Sequence, residues 1–199
     1  MKKVLTILAA ALAISVPSFA ATTQTVNVSA NVDTILDMSM AVFKLDVNGN
    51  PTGSNLGTNM SFGQLVRDNV NGVMHGADAY TVYLSTNTSS RPYTIKANMP
   101  ALSNGSTTLP AAMVCTVVSA KAGANDITGD TFPAASQNAI MSNSTIYTSN
   151  ASGQGATVQV VYGISGGGAT APFTGWQPIL LEQAAGSYTS SLVYTIALS

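Results

Sequence analysis

Thr25-Val26-Asn27-Val28-Ser29-Ala30-Asn31-Val32-Asp33 places Val26, Val28, Ala30 and Val32 on one face of an extended chain and Asn27, Ser29 and Asn31 on the other. Such a period of two marks a strand with one buried side, because successive side chains of a strand point to opposite faces. So short a segment carries too little apolar surface to stand alone. It is stable only where its apolar face meets a groove and its backbone groups join a ladder. Two homes meet both conditions: a sheet of the same chain, or the open sheet of another copy.

Upstream, Lys2 and Lys3 precede an apolar run over residues 4–16 and the small-residue stretch Pro17-Ser18-Phe19-Ala20. This is the pattern of a secretory signal cut after Ala20. The apolar run is shorter than the about 20 residues a bilayer requires, so a membrane anchor is the weaker reading. The chain thus divides into a signal (1–20), an N-terminal extension (21–34) and one domain (35–199).

Without the signal, the basic residues are Lys44, Arg67, Arg91, Lys96 and Lys121, against 8 acidic ones. An acidic balance with no basic run argues against nucleic acid as a partner. Charged residues make up only 8% of the chain, so the surface is neutral and rich in hydroxyl and amide groups, as expected of an exported protein that packs against copies of itself. Cys115 is the one cysteine, so no disulfide can form within the chain. In the run Met113-Val114-Cys115-Thr116-Val117-Val118 it reads as a small buried hydrophobe of a strand.

Downstream, residues 35–47 continue extended, with Leu36, Met38 and Met40 on one face, until Asn48-Gly49-Asn50-Pro51 ends the run with strong turn chemistry. Residues 55–72 read as loop with short apolar pieces at Met60-Ser61-Phe62 and Leu65-Val66. Tyr80, Val82 and Leu84 alternate, and so do Tyr93, Ile95 and Ala97 beyond Thr88-Ser89-Ser90-Arg91-Pro92; the spacing predicts a hairpin. Residues 100–110 read as a polar connector, 111–120, 140–148 and 156–164 as strands, and 121–133 as mostly turn. Gly166-Gly167-Gly168 leads into a long loop with Pro172, Trp176 and Pro178. After Ala185-Gly186-Ser187, residues 188–198 alternate, with Leu192, Tyr194, Ile196 and Leu198 on one face. No segment keeps a helical apolar period for three turns free of glycine, proline or β-branched clusters. About ten short strands separated by turns point to an all-β, immunoglobulin-like sandwich.

Val26-Asn27-Val28-Ser29-Ala30-Asn31-Val32-Asp33 with Ile35-Leu36-Asp37 resembles the start of mature major pilins of the alternate chaperone-usher class, the colonisation-factor and cable-pilus subunits. Gly186-Ser187-Tyr188-Thr189-Ser190 and the residues from Leu192 to Ser199 are similar to their C-terminal strand. Between the two ends the likeness is loose, residues 101–176 are longer than the family body, and Thr34 stands where the family commonly has proline. The resemblance implies an immunoglobulin-like sandwich that is incomplete, lacking its final strand, and that receives the N-terminal extension of the next subunit. It makes Val26, Val28, Ala30 and Val32 the donor side chains and Leu192, Tyr194, Ile196 and Leu198 one wall of the acceptor groove. It further implies a non-enzymatic, cell-surface fimbrial subunit without a cofactor, which supports adhesion. Its expected partners are other copies of itself in a homopolymer, a periplasmic chaperone, an outer-membrane usher and, as a further candidate, a tip adhesin.

The residues offer little other chemistry. His75, the single histidine, sits in His75-Gly76-Ala77-Asp78 with no motif-bound nucleophile and reads as a loop residue. One histidine and one cysteine exclude an ordinary zinc site. Asp46, Asn48 and Asn50 resemble a calcium loop that lacks its closing glutamate, so a turn is the better reading. Gly163-Ile164-Ser165-Gly166-Gly167-Gly168 lacks the Gly-Lys-Ser/Thr of a phosphate loop. Phe173 and Trp176 read as core anchors, or as a sugar-stacking platform. Two other functions therefore stay open: a self-contained secreted sandwich that binds carbohydrate, and a monomeric coat or matrix protein whose first strand folds back into its own sheet.

Overall fold

The computed structural model describes residues 35–46, 48–68, 70, 73–75, 78–109, 114–120, 128–132, 142–164, 179–180 and 182–199. The 1–20 signal and 21–34 extension, with Val26, Val28, Ala30 and Val32, lie outside them, as do Phe173 and Trp176. Among the described residues there is no helix, and every strand pairing is antiparallel. One sheet has five strands in the order β2 (Pro51–Thr52), β1 (Leu36–Leu45), β5 (Ala79–Thr88), β9 (Thr157–Ile164) and β7 (Val114–Ala120). A second has three: β11 (Val193–Leu198), β6 (Tyr93–Asn98) and β8 (Ser144–Thr148). A small ribbon joins β10 (Ile179–Leu180), β4 (Val73–His75) and β3 (Val66–Asp68).

The first two sheets share one core, an arrangement consistent with a β-sandwich. Register explains why the larger sheet holds together. Val42 lies opposite Val82, Val82 opposite Val160, and Val160 opposite Val118, so four strands contribute one row of valines to the inner face. Cross-strand pairs of β-branched residues fill a pleated surface well. The next row runs Met40, Leu84, Val158 and Ala120. Tyr93, Ile95 and Ala97 of β6, none of them exposed, meet these rows from the other sheet. In β8 both Ile146 and Tyr147 are buried although they are consecutive. The reason is a bulge: Ile95 pairs with Tyr147 and Lys96 with Thr145, leaving Ile146 as the extra residue.

The hairpin expected from Tyr80 to Ala97 does not form. β5 pairs with β1 and β9, whereas β6 pairs with β8 and β11, so the 89–92 turn crosses from one sheet to the other. Both alternating rows are buried, and they face each other across the core. The turn is clamped by residues 149–156. Ser149 Oγ accepts from Tyr93 N–H at 2.9 Å and Ser149 N–H donates to Tyr93 C=O at 3.0 Å. Thr88 Oγ1 donates to the Gly153 carbonyl, and Thr86 Oγ1 accepts from Ala156 N–H at 2.8 Å. Gly153 is required there: at φ +57°, a Cβ on it would lie 2.1 Å from the Arg91 carbonyl carbon and oxygen.

Two other sequence expectations change. The 100–110 connector is polar only in part, for Leu102 and Leu109 are both buried in the core and Ser103 and Thr108 bridge the turn between them. The segments around Leu65-Val66 and His75 are not wholly loop, since Val66 and His75 belong to the paired strands β3 and β4.

Candidate functional site

Among the described residues, β11 has one edge that no strand pairs with, and the outer edge of β1 pairs with β2 only at Lys44 and Leu45. Directly before β1, the Ile35 carbonyl faces the β5 side, accepting from Ser89 N–H at 3.0 Å, while Val42 within β1 faces away from it. Val42 N–H donates to Asn55 Oδ1 at 2.9 Å and its carbonyl accepts from Leu56 N–H at 2.8 Å. Because antiparallel strands alternate the direction of their backbone groups, the N–H and C=O of Leu36, Met38 and Met40 point the same way as those of Val42. Residues 55–56 and β2 thus close the edge from Val42 onward; before it no strand pairs among the described residues, and the Met38 N–H donates to Asp37 Oδ1 at 2.8 Å.

The last strand has the complementary geometry. Ser199 N–H donates to the Pro92 carbonyl at 2.9 Å, which places Val193, Thr195 and Ala197 in the ladder with β6. The backbone groups of Tyr194, Ile196 and Leu198 therefore point away from β6.

Between the two strands lies a cavity of about 860 Å³. Met40, Val42, Met60, Phe62, Leu65 and Met74 line it on one side, Leu192 and Tyr194 on the other, and Val82, Met99, Leu102, Leu109 and Ile164 are also in its wall. The 60–65 wall is held by Tyr80, whose hydroxyl donates to the Ser61 carbonyl and whose ring meets Phe62 edge-on at 5.6 Å. The 188–192 wall is held by Tyr188, whose hydroxyl donates to the Ala184 carbonyl at 2.7 Å and receives Gln183 Nε2 at 2.8 Å. Ser103 and Thr189 exchange two backbone bonds of 2.9 Å, tying this wall to the 102–109 turn.

At the groove, Tyr194 shares a 2.7 Å hydrogen bond with Tyr162 of β9, joining the last strand to the opposite sheet. Burial pushes both phenols well above their ordinary range, so both stay protonated over the physiological range. The arrangement offers what an extended peptide needs: two rows of backbone donors and acceptors flanking an apolar floor.

Of the four residues expected to wall an acceptor groove, Leu192 and Tyr194 line the cavity, and Ile196 packs against the core alongside them. Leu198 differs, at 38% exposed, because it lies at the end of the edge strand. The opposite wall was not anticipated. Its signal was present in Met60, Phe62 and Leu65, three large apolar side chains in an otherwise polar loop. Elsewhere, Asp46 serves the turn: its Oδ1 accepts from Asn48 and Asn50 N–H at 2.9 and 2.8 Å, and these bonds, that to Asn50 foremost, hold its carboxyl below the usual range. Cys115 sits in β7 opposite Gly163. Among the described residues no group of three or more metal-ligating side chains occurs, and no helix is long and apolar enough to cross a membrane.

No family model matches the chain, and neither the curated proteins nor the solved structures provide a match.

Proposed function

We propose that the chain is a structural subunit of a surface fimbria, of the pilin type, in which residues 25–33 of one copy complete the immunoglobulin-like sandwich of the next. The observation that carries this reading is the largely apolar groove lined by β1 and β11, where β11 has no strand on its outer edge and β1 has none before Lys44 among the described residues. Val26, Val28, Ala30 and Val32 supply one apolar side chain at every second position, as such a floor demands. Burying the three valines contributes about 4 to 9 kcal/mol to each joint. A periplasmic chaperone would cover the groove before assembly, an outer-membrane usher would exchange its strand for the donor, and a tip adhesin is a further candidate partner.

Chain connectivity favours a donor from another copy. Ile35 already belongs to the ladder with Ser89, and only Thr34 separates it from Asp33. Folding back beside its own β1 would require a tight turn at Asp33-Thr34. Such turns need positive φ at one or both central residues, which a β-branched threonine resists. A parallel return would need a crossover of about a dozen residues.

Deletion of residues 21–33 tests the proposal. The truncated chain is expected to retain its acceptor groove and to form no fibres by electron microscopy. Fibres formed by it would refute the reading in favour of a self-contained sandwich.

A further inference from the structure

Of the 8 methionines in the chain, Met40, Met60, Met74 and Met99 line the one groove. Met99 is buried at 4%, but Met40 is 38% exposed and Met60 and Met74 are half-buried. A thioether fits an irregular apolar insert well, and so would leucine. What distinguishes methionine is its oxidation by two-electron oxidants to a polar, chiral sulfoxide, which disrupts methionine-rich contact surfaces.

We propose that Met40, Met60 and Met74 form an oxidation-sensitive modification site: sulfoxidation of the open groove blocks strand docking, and a docked strand shields the three thioethers. The inference rests on the acceptor reading above. The oxidant is a peroxide. Its O–O bond breaks, one oxygen bonds to the methionine sulfur, which loses two electrons, and the other leaves as water. The resulting S=O dipole shares the groove lining with Val42, Phe62, Leu65 and Leu192, the apolar part of a wall that also carries Ser61, Gln64 and Ser191. Docking an apolar strand would then strip water from a strongly polar group, which costs free energy that the thioether does not.

The test uses the purified full chain at low concentration and a fluorescent peptide of residues 25–33. Mild hydrogen peroxide, with conversion at each methionine followed by peptide mass mapping, is expected to lower peptide uptake at least about tenfold. Methionine sulfoxide reductases should restore it, and the Met40→Leu, Met60→Leu, Met74→Leu triple variant, close in volume and apolarity, should take up peptide equally before and after peroxide. Chain loaded with peptide first should show slower sulfoxidation at these three positions. If the triple variant fails to fold, the reductase recovery and the protection measurement decide. Equal uptake by untreated and fully sulfoxidised chain overturns this inference alone. No uptake by the untreated chain overturns the acceptor reading, and this one with it.

Discussion

At the corner where residues 149–156 meet the 86–93 turn, the chain satisfies its polar groups from within. Tyr93, Ser149, Thr86 and Gly153 exchange backbone and hydroxyl bonds so closely that one added methyl has no room. Along the flank between β1 and β11, the same two sheets stop short. Met40 and Tyr194, whose backbone groups point away from β5 and β6, line a largely apolar cavity, with no neighbouring strand at these positions among the described residues. The closed corner therefore holds the two sheets together, and the open flank is where the proposed donor would enter. Edge strands are normally blunted by charge, proline or bulges, because an open edge invites pairing with another chain. Here the edge of β1 is closed by backbone and side-chain partners from Val42 onward, and before it only Asp37, which caps the Met38 N–H, supplies a charge.

The largest expected effect breaks the closed corner. Gly153→Ala should destabilise the fold by more than about 3 kcal/mol in denaturant unfolding, because a backbone clash adds to positive-φ strain. Gly49→Ala, at φ +82° with no atom near, should cost about 1 to 2 kcal/mol from strain alone. Equal losses at the two positions would show that the corner is no tighter than an exposed turn.

Alkali should act next, through the Tyr162–Tyr194 pair beneath the open flank. Burial raises both folded-state values above the ordinary phenol value of about 10. The folded state thus holds protons that the unfolded state releases, so stability is full below about pH 10 and falls as pH rises beyond it. Melting temperature and tyrosinate absorbance, followed together from pH 8 upward, should show ionisation of this pair only as the fold is lost.

A smaller effect separates the hydroxyl bond from its surroundings. Tyr194→Phe leaves the Tyr162 hydroxyl buried without its partner and should cost about 1 to 2 kcal/mol. The Tyr162→Phe, Tyr194→Phe double variant should recover most of that loss, since both polar groups are then gone. Thr116→Val should stabilise by about 1 kcal/mol, because the Thr116 hydroxyl is buried without a hydrogen bond. The smallest effect belongs to the surface: Lys44→Ala breaks the 2.6 Å pair with Asp78 but should barely move the unfolding midpoint, since the lysine is about half exposed.

Much of the larger sheet was legible in the chain, because β7 and β9 carry β-branched residues, and β1 carries Leu36, Met38, Met40 and Val42, at alternate positions. The hairpin misreading at Tyr80–Ala97 has a physical cause. Alternation identifies a strand and its buried face but not its partner, and a five-residue turn serves a hairpin or a sheet-to-sheet crossing equally well. Of the residues expected on one wall, Tyr194 and Ile196 lie in the regular strand β11, whose alternation the chain displays, and Leu192 directly precedes it. The other comes from Met60, Phe62 and Leu65 in irregular backbone, where no periodicity marks which side chains turn inward. The bulge at Ile146 was hidden for the same reason, since two consecutive buried residues break the alternation.

The central claim is that residues 25–33 of one copy fill the groove of another. In a Cys115→Ala background, copies carrying only Val28→Cys are mixed with copies carrying only Leu192→Cys and treated with a short bis-maleimide. Covalent dimers in the mixture, and in neither copy alone, are the predicted result. No dimer in the mixture, together with an intrachain link in a copy bearing both cysteines, would contradict the account.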